Sequence, residues 1–308
     1  IRNVQAGKKM YQDENCDSII TVGGGSAHDC GKGIGIVLTN GDDISKLAGI
    51  ETLKNPLPPL MAVNTTAGTG SELTRHAVIT NEKTHLKFVV VSWRNIPLVS
   101  FNDPMLMLDI PKNITAATGC DAFVQAIEPY VSVDHNPITD SQCKEAIQLI
   151  QTALPEVVAN GHNIEARTKM VEAEMLAGMA FNNANLGYVH AMAHQLGGQY
   201  DAPHGVCCAL LLTTVEEYNL IACPERFAEL AKVMGFDTTG LTLYEAAQKS
   251  IDGMREMCRL VGIPSSIKEI GAKPEDFEMM AKNALKDGNA FSNPRKGTVE
   301  DIVKLYQK

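Results

Sequence analysis

The sequence predicts an α/β domain over residues 1–110 followed by an all-helical domain over residues 111–308. Before residue 110, short apolar runs rich in β-branched residues are followed by glycine-rich turns, a pattern typical of buried strands. After it, apolar residues recur three and four positions apart through long segments, which is typical of packed helices. A chain of 308 residues is also long enough for two domains of ordinary size.

The elements of the α/β domain follow from their local patterns in chain order. The pattern of the first twelve residues is typical of a polar amphipathic helix that begins before residue 1, so we expect an incomplete N-terminus. Strands are predicted over residues 18–22, 61–63, 88–92 and 98–101. The segment SAHDCGKGIGIVLTN, which follows the first strand, is predicted to form a helix despite its glycines.

The helical domain shows its pattern most clearly in four long segments. They are KNITAATGCDAFVQAIEPYVS, ITDSQCKEAIQLIQTALPEVVANG, ARTKMVEAEMLAGMAFNNANLGYVHAMAHQLGG and TLYEAAQKSIDGMREMCRLVG. Each predicts one or more long helices with an apolar face, and together these faces can form a core.

Composition argues against several classes of protein, namely nucleic-acid-binding, membrane and disulfide-rich proteins. The net charge is −9 and no run of Lys and Arg is long enough to follow a phosphate backbone, which argues against nucleic-acid binding. No apolar run reaches the roughly 18 residues of a membrane span, so we expect no membrane partner. The eight cysteines contain no CxxC pair, which fits a reducing cytoplasm better than a disulfide framework.

Two glycine-rich turns follow predicted strands. They are GGGSAHDCGK over residues 23–32 and NTTAGTGSE over residues 64–72. Two such turns at the strand ends of one sheet predict a nucleotide site, although either turn alone could be simple packing. Asp29 and Lys32 could equally form a surface ion pair, and Glu72 could be a helix cap, an ion-pair partner or a catalytic group.

A histidine cluster predicts a metal centre in the helical domain. His190 and His194 share a helix face, and His204 follows a Gly-Gly break and a proline that can fold it back. With Asp121 they form a set of imidazole and carboxylate donors suited to Fe or Zn. Asp121 and Gln125, four residues apart, could be metal ligands, a hydrogen-bonded pair or neither.

Six ordered motifs resemble the iron-dependent (group III) alcohol dehydrogenases. They are GGGSAHDCGK, NTTAGTGSE, AATGCDAFVQAIEPYVS, GMAFNNANLGYVHAMAHQLGG, PHGV and ALKDGNAFSNPRKG, and the resemblance covers essentially the whole chain. The likeness is greatest to the branch that contains the 1,3-propanediol and NAD-dependent methanol dehydrogenases. It implies a dinucleotide-binding α/β domain of the dehydroquinate synthase-like type, truncated at its start, and then an all-α metal-binding and substrate domain.

The resemblance implies a role for each motif residue. Contacts to NAD or NADP, with NAD favoured, are implied for Gly24, Gly25, Ser26, Thr65, Thr66, Thr69 and Lys87. The metal, Fe²⁺ with Zn or Mn as alternatives, would be held at Asp121, Gln125, His190 and His204. His194 would relay the alcohol proton. The substrate pocket would include His76, Phe181, Asn289 and Phe291.

The implied reaction is hydride transfer between a nicotinamide cofactor and a short primary alcohol or diol of the 1,3-propanediol type. The metal would act as a Lewis acid on the substrate oxygen. The implied partners are an alcohol or aldehyde and further copies of the chain in a dimer or larger homo-oligomer. Dehydroquinate synthase and glycerol dehydrogenase share this architecture, but they lack AHQLGG together with FSNP.

Gln125 departs from the family pattern, which has a histidine at this position. We expect weaker metal retention than in relatives with the histidine, since an amide oxygen is a weaker ligand than imidazole. Other readings are a preference for Mn or Mg, an altered sequence, or a silent member that binds nucleotide without turnover. We expect a second departure at the start of the chain, the absence of the family's first strand-helix-strand portion, which would carry the acidic residue that separates NAD from NADP.

Overall fold

The computed structural model, which describes residues 1–82 and 86–308, divides the chain into two units. The first comprises Ile1–Met107 and the second Leu108–Lys308. The described residues of the first unit form two α-helices and six strands, and the second unit is helical from Lys112 onward, so the predicted fold class is confirmed.

The first unit contains two three-stranded sheets. Its helices are α1 (Arg2–Asp13) and α2 (Gly25–Thr39), and its strands are β1 (Ile19–Gly23), β2 (Gly49–Ile50), β3 (Leu60–Asn64), β4 (His76–Asn81), β5 (Leu86–Val91) and β6 (Val99–Phe101). β1, β3 and β6 form a parallel sheet in the order β1-β3-β6. In the other sheet, β5 lies between β2, to which it is parallel, and β4, to which it is antiparallel. Buried aliphatic side chains of α1, α2, β4 and β5 share one core.

All four predicted strands are present, each with ends within two residues of the prediction. β2 and β4 were not predicted. β4 is held by antiparallel pairing with β5, in which Ile79 faces Phe88. The paired residues are only 5 to 15 positions apart in the sequence, so this strand lay within reach of the local pattern and was missed.

Lys32 is a buried structural group, so its interpretation as part of a surface ion pair is wrong. Its Nζ atom donates to the backbone carbonyls of Ser71 (2.5 Å), Thr74 (2.9 Å) and His76 (2.7 Å). Asp29 lies 3.9 Å away and accepts hydrogen bonds from Ser71 Oγ (2.6 Å) and the Val78 backbone N–H. α2 is thereby tied to the chain between the second glycine-rich turn and β4.

The second unit consists of nine α-helices joined by turns and short 3-10 segments. They are α3 (Lys112–Val131), α4 (Pro137–Ala159), α5 (Ile164–Ala184), α6 (Tyr188–Tyr200), α7 (His204–Leu220), α8 (Pro224–Val233), α9 (Leu243–Leu260), α10 (Phe277–Ala284) and α11 (Val299–Gln307). α3 packs against α4, α5 and α7. It is buried at nearly every position from Thr115 to Val131, so it forms the centre of this unit.

The length and apolar content of the helices can be compared with what a membrane span requires. Over residues 1–82 and 86–308, none of them combines the length and the apolar content that crossing a bilayer requires.

Candidate active site

Two turns leave the same edge of the parallel sheet in the first unit. β1 ends at Gly23 and β3 ends at Asn64, and these residues are partners in the parallel ladder. The backbone N–H of Thr65 donates to the carbonyl of Gly23 (3.0 Å). Because parallel strands end at a common edge, the glycine turn and the hydroxyl-rich turn lie side by side.

The close contact of these turns explains the glycines. A Cβ atom on Gly24 would lie 2.7 Å from Oγ1 of Thr66, and one on Gly25 would lie 2.8 Å from Oγ1 of Thr69. Gly24 also precedes α2 and has no side chain with which to cap it. The first N–H groups of α2, including that of Ser26, therefore face outward beside threonine hydroxyls, an arrangement suited to a phosphate group.

Two predicted residues of the first unit lie in the other sheet. Lys87 is exposed on β5, and His76 begins β4. The His76 carbonyl is one of the acceptors of Lys32. The predicted contacts of Lys87 with the nucleotide and of His76 with the substrate stay predictions.

Four side chains of the second unit converge on one point. Asp121 lies in the middle of α3, His190 in the first turn of α6, and His204 begins α7, with Cys208 one turn later. One donor atom from each lies within 4.8 Å of the other three. Nε2 of His190 is 3.5 Å from Oδ1 of Asp121, and Nε2 of His204 is 3.6 Å from the same oxygen.

The close approach of α7 to α3 brings His204 to Asp121. A Cβ atom on Gly205 would lie 2.1 Å from the carbonyl oxygen of Ala117 in α3. No side chain fits there, since the obstacle is backbone, so a glycine directly after His204 permits this approach. The PHG sequence thus positions a ligand.

Asp121 is favoured in its ionised form within this cluster. Burial alone would raise the pKa of Asp121, but positive charge on His204 and His190 outweighs burial and lowers it. Oδ1 of Asp121 and Nε2 of His190 are buried, and neither has a hydrogen bond of normal geometry to any residue in 1–82 or 86–308. An ion bound between these two atoms would satisfy both of them.

The start of α6 is held by side chains from distant segments. Oε1 of Glu128 accepts the backbone N–H of Val189 (2.7 Å), and Oδ1 of Asn293 accepts that of Tyr188 (3.0 Å). Oε2 of Glu128 accepts Nδ1–H of His190 (2.6 Å). Glu128 therefore fixes the ring so that Nε2 faces Asp121, as a carboxylate that supports a metal-binding histidine does.

We expect Glu128→Gln to lower metal affinity about 10- to 100-fold, the usual cost of losing such a support. An amide can accept only one of the two N–H groups that Glu128 now accepts, so it would favour the His190 tautomer with Nε2 protonated. Competition with a zinc-binding dye measures the affinity. Glu145→Gln, an exposed substitution on α4, should leave it unchanged; equal affinities in both variants would contradict this role.

His194 lies beside the cluster and has its own carboxylate partner. Its ring stacks on that of His204 with centroids 5.4 Å apart. Its Nδ1 atom is 2.8 Å from Oδ2 of Asp287, which precedes the 3-10 segment Gly288–Ser292. Burial alone would raise the pKa of Asp287, but the hydrogen bond with His194 outweighs it and lowers the pKa. With Nδ1–H donated to Asp287, Nε2 of His194 remains able to accept a proton.

The other predicted residues of the second unit differ in how far they are buried. Gln125 is buried on α3, one turn after Asp121. Phe181 is buried near the end of α5, whereas Asn289 is half-buried and Phe291 is 70% exposed, both in the segment Gly288–Ser292. The predicted roles of these four residues stay predictions.

Two family models match the chain in succession. Residues 1–104 match the model for iron-containing alcohol dehydrogenase. Residues 115–308, which include all four side chains of the cluster, match the model for the C-terminal part of the Fe-containing alcohol dehydrogenase family. The chain belongs to the iron-containing alcohol dehydrogenase family.

Relatives within the iron-containing alcohol dehydrogenases align over nearly the whole chain. The 1,3-propanediol dehydrogenase of Klebsiella pneumoniae is 57% identical over 99% of this chain and 79% of its own length. The NAD-dependent methanol dehydrogenase of Bacillus methanolicus is 43% identical, with coverage of 99% and 80%. The structure of an alcohol dehydrogenase from Oenococcus oeni is 79% identical, covers 99% of this chain and 80% of its own, and superposes with a TM-score of 0.97.

The cluster fits the divalent metal that an iron-containing alcohol dehydrogenase requires. Ligand atoms about 2.1 Å from a tetrahedral metal lie about 3.4 Å apart, close to the 3.5 and 3.6 Å measured from Asp121 to the two histidines. Carboxylate and imidazole donors suit iron or zinc. The buried Asp121 and His190 atoms described above are the ones that such an ion would contact.

Sequence reasoning missed three residues of this site. Glu128 is seven positions after Asp121, on the same face of α3, and Cys208 is four after His204, so both spacings were visible. Asp287 is separated from His194 by 93 positions, and only the fold brings them together. A search of each predicted ligand helix for further polar side chains on the same face would have found the first two.

Proposed function

We propose that this iron-containing alcohol dehydrogenase interconverts a short primary alcohol or diol of the 1,3-propanediol type and its aldehyde, with NAD as the hydride acceptor. The observation that carries the proposal is the buried set Asp121, His190 and His204, with His194 stacked beside it. The 57% identical relative named for 1,3-propanediol supports the diol, and the relative named NAD-dependent supports the cofactor.

The first unit supplies the groups that bind the nucleotide. The N–H groups of Gly25 and Ser26 at the start of α2 would hold the pyrophosphate, while Gly24 keeps the approach open. The hydroxyls of Thr65, Thr66 and Thr69 are the nearby donors for phosphate and ribose oxygens.

The second unit supplies the groups that act on the alcohol. Asp121, His190 and His204 would hold a divalent metal, which when bound supplies Lewis acidity to the substrate oxygen. Glu128 keeps the imidazole of His190 in place. His194, oriented by Asp287, accepts the alcohol proton at Nε2 during oxidation and returns it during reduction.

The proposal also covers the cellular compartment and the oligomeric state of the enzyme. We place it in the cytoplasm, where its eight free cysteines remain reduced, and in a homo-oligomer of two or more chains. An alcohol and its aldehyde are the expected small-molecule partners.

Anaerobic purification, loading with Fe²⁺, Zn²⁺ or Mn²⁺, and assay of NADH formation test this function. We expect metal-dependent NADH formation with 1,3-propanediol, faster than with methanol, and slower turnover with NADP. Nucleotide binding without NADH formation from any short primary alcohol, in protein that contains metal, would contradict the proposal.

A further inference from the structure

Cys208 adds a sulfur to the donors around Asp121. The side chain is completely buried, and its Sγ atom lies 3.7 Å from Nε2 of His204. Sγ is within 4.8 Å of the donor atoms of Asp121 and His190 as well. For a metal bound at about 2.3 Å to sulfur and about 2.1 Å to nitrogen, a tetrahedral site separates these atoms by about 3.6 Å. The measured spacing, a weak hydrogen bond between thiol and imidazole in the absence of an ion, also fits two ligands of one ion.

The position of the thiol follows from the same features that place His204. His204 and Cys208 are four residues apart on α7 and so project from one face of the helix. Gly205 allows that face to approach the backbone of α3, which carries Asp121. The thiol thus reaches the cluster through regular helix geometry.

The neighbouring Cys207 allows a comparison with Cys208 within the same helix. It is also completely buried, but it is not part of the cluster of donor atoms. Filling a small buried space is the common role of a cysteine without a disulfide partner. It is not a sufficient account of Cys208, which faces two imidazoles and a carboxylate, among them the buried Asp121 and His190 atoms that lack other partners.

We propose that Cys208 is a protein ligand of the metal, so that this dehydrogenase has a centre of one carboxylate, two imidazoles and one thiolate. This inference deepens the proposed function, because it concerns the same metal centre. When the metal–sulfur bond forms, the S–H bond breaks and its proton passes to solvent, with no change of oxidation state. The substrate oxygen would then bind as a fifth ligand, as happens in some catalytic zinc sites.

Charge balance supports a thiolate at this place. Coordination to a divalent ion displaces the proton of a thiol, so a bound Cys208 would carry a negative charge. Within the ligand set, Asp121 and a Cys208 thiolate together would match the two positive charges of a divalent ion.

A thiolate ligand changes the effect on metal binding that is expected from Gln125. With Cys208 as a ligand, the centre does not depend on the amide oxygen of Gln125 to hold the ion. Thiolate donors favour zinc, iron and cobalt over manganese and magnesium. The chain should therefore retain the softer ions, contrary to the manganese or magnesium preference that Gln125 alone would suggest.

Cobalt(II) titration of the full chain tests the ligand directly. We expect stoichiometric binding with an intense near-ultraviolet band of thiolate-to-cobalt charge transfer. Cys208→Ser should abolish the band and weaken zinc binding 10-fold or more, while Cys207→Ser should keep both. A spectrum without the band, or the same band in Cys208→Ser, would overturn the proposal.

X-ray absorption at the zinc edge provides a test on the unmutated protein, so it stands if Cys208→Ser does not fold. One sulfur about 2.3 Å from zinc is the expected result, and nitrogen and oxygen neighbours alone would overturn the inference. Sulfur ligation without alcohol turnover would overturn the proposed function and leave this inference standing. Turnover with a sulfur-free metal would do the reverse, and failure to bind any metal would overturn both.

Discussion

Asp121→Asn is expected to lose bound metal and, with it, alcohol turnover. The carboxylate lies 3.5 and 3.6 Å from the two histidines, and the substitution removes the negative charge that attracts the cation while nearly preserving shape. Even residues that only orient ligands change metal affinity 10- to 100-fold, so we expect loss of this ligand to cost at least about 100-fold. Metal analysis after dialysis and the initial rate of NADH formation measure the two effects.

Two controls separate a metal defect from a folding defect. Asp252→Asn, an exposed substitution on α9, should retain metal and rate. Circular dichroism should show metal-free Asp121→Asn to be as helical as the metal-free parent, because no helix cap depends on Asp121. An Asp121→Asn protein that keeps full metal and full turnover would rule out the assigned centre.

Lys32→Met is expected to destabilise the first unit by about 3–5 kcal/mol, the usual cost of removing one partner from a buried charged network. Met has a similar length but no donor, so the carbonyls of Ser71, Thr74 and His76 would lose their Lys32 hydrogen bonds. Burial lowers the pKa of Lys32 to about 8, so the ammonium is itself held at a cost that Met avoids. This offset keeps the expected loss below the full sum for three unsatisfied acceptors.

The single tryptophan makes this prediction measurable. Trp93 lies in the first unit, so its fluorescence during urea unfolding reports on that unit. Lys46→Met, at an exposed lysine, should shift the midpoint little. If Lys32→Met unfolds at the same urea concentration as Lys46→Met, the buried network does not hold the second turn in place.

The fold was predictable where local pattern and burial agree. β1 and β3 are apolar runs that end at glycine- or threonine-rich turns, and both are present. α3 reads as helix throughout because its apolar residues lie on every face, as expected for a central helix. The environment of Lys32 depends on contacts across 39 to 44 residues, which local pattern cannot specify.

The site was predictable to the extent that its residues belong to recognisable motifs. Asp121, His190 and His204 were proposed as ligands, and the structure brings them together. Cys208 was passed over because a buried cysteine in an apolar helix is normally packing. Asp287 could not be assigned to His194, since nothing in the sequence relates two positions so far apart.

The most direct test of the central claim is the position of the metal in crystals of zinc-loaded protein, located by anomalous diffraction at the zinc edge. The account predicts one strong peak about 2.0–2.2 Å from Oδ1 of Asp121 and from Nε2 of His190 and His204. A strong peak elsewhere, or none at these three atoms in protein that contains stoichiometric zinc, would contradict it.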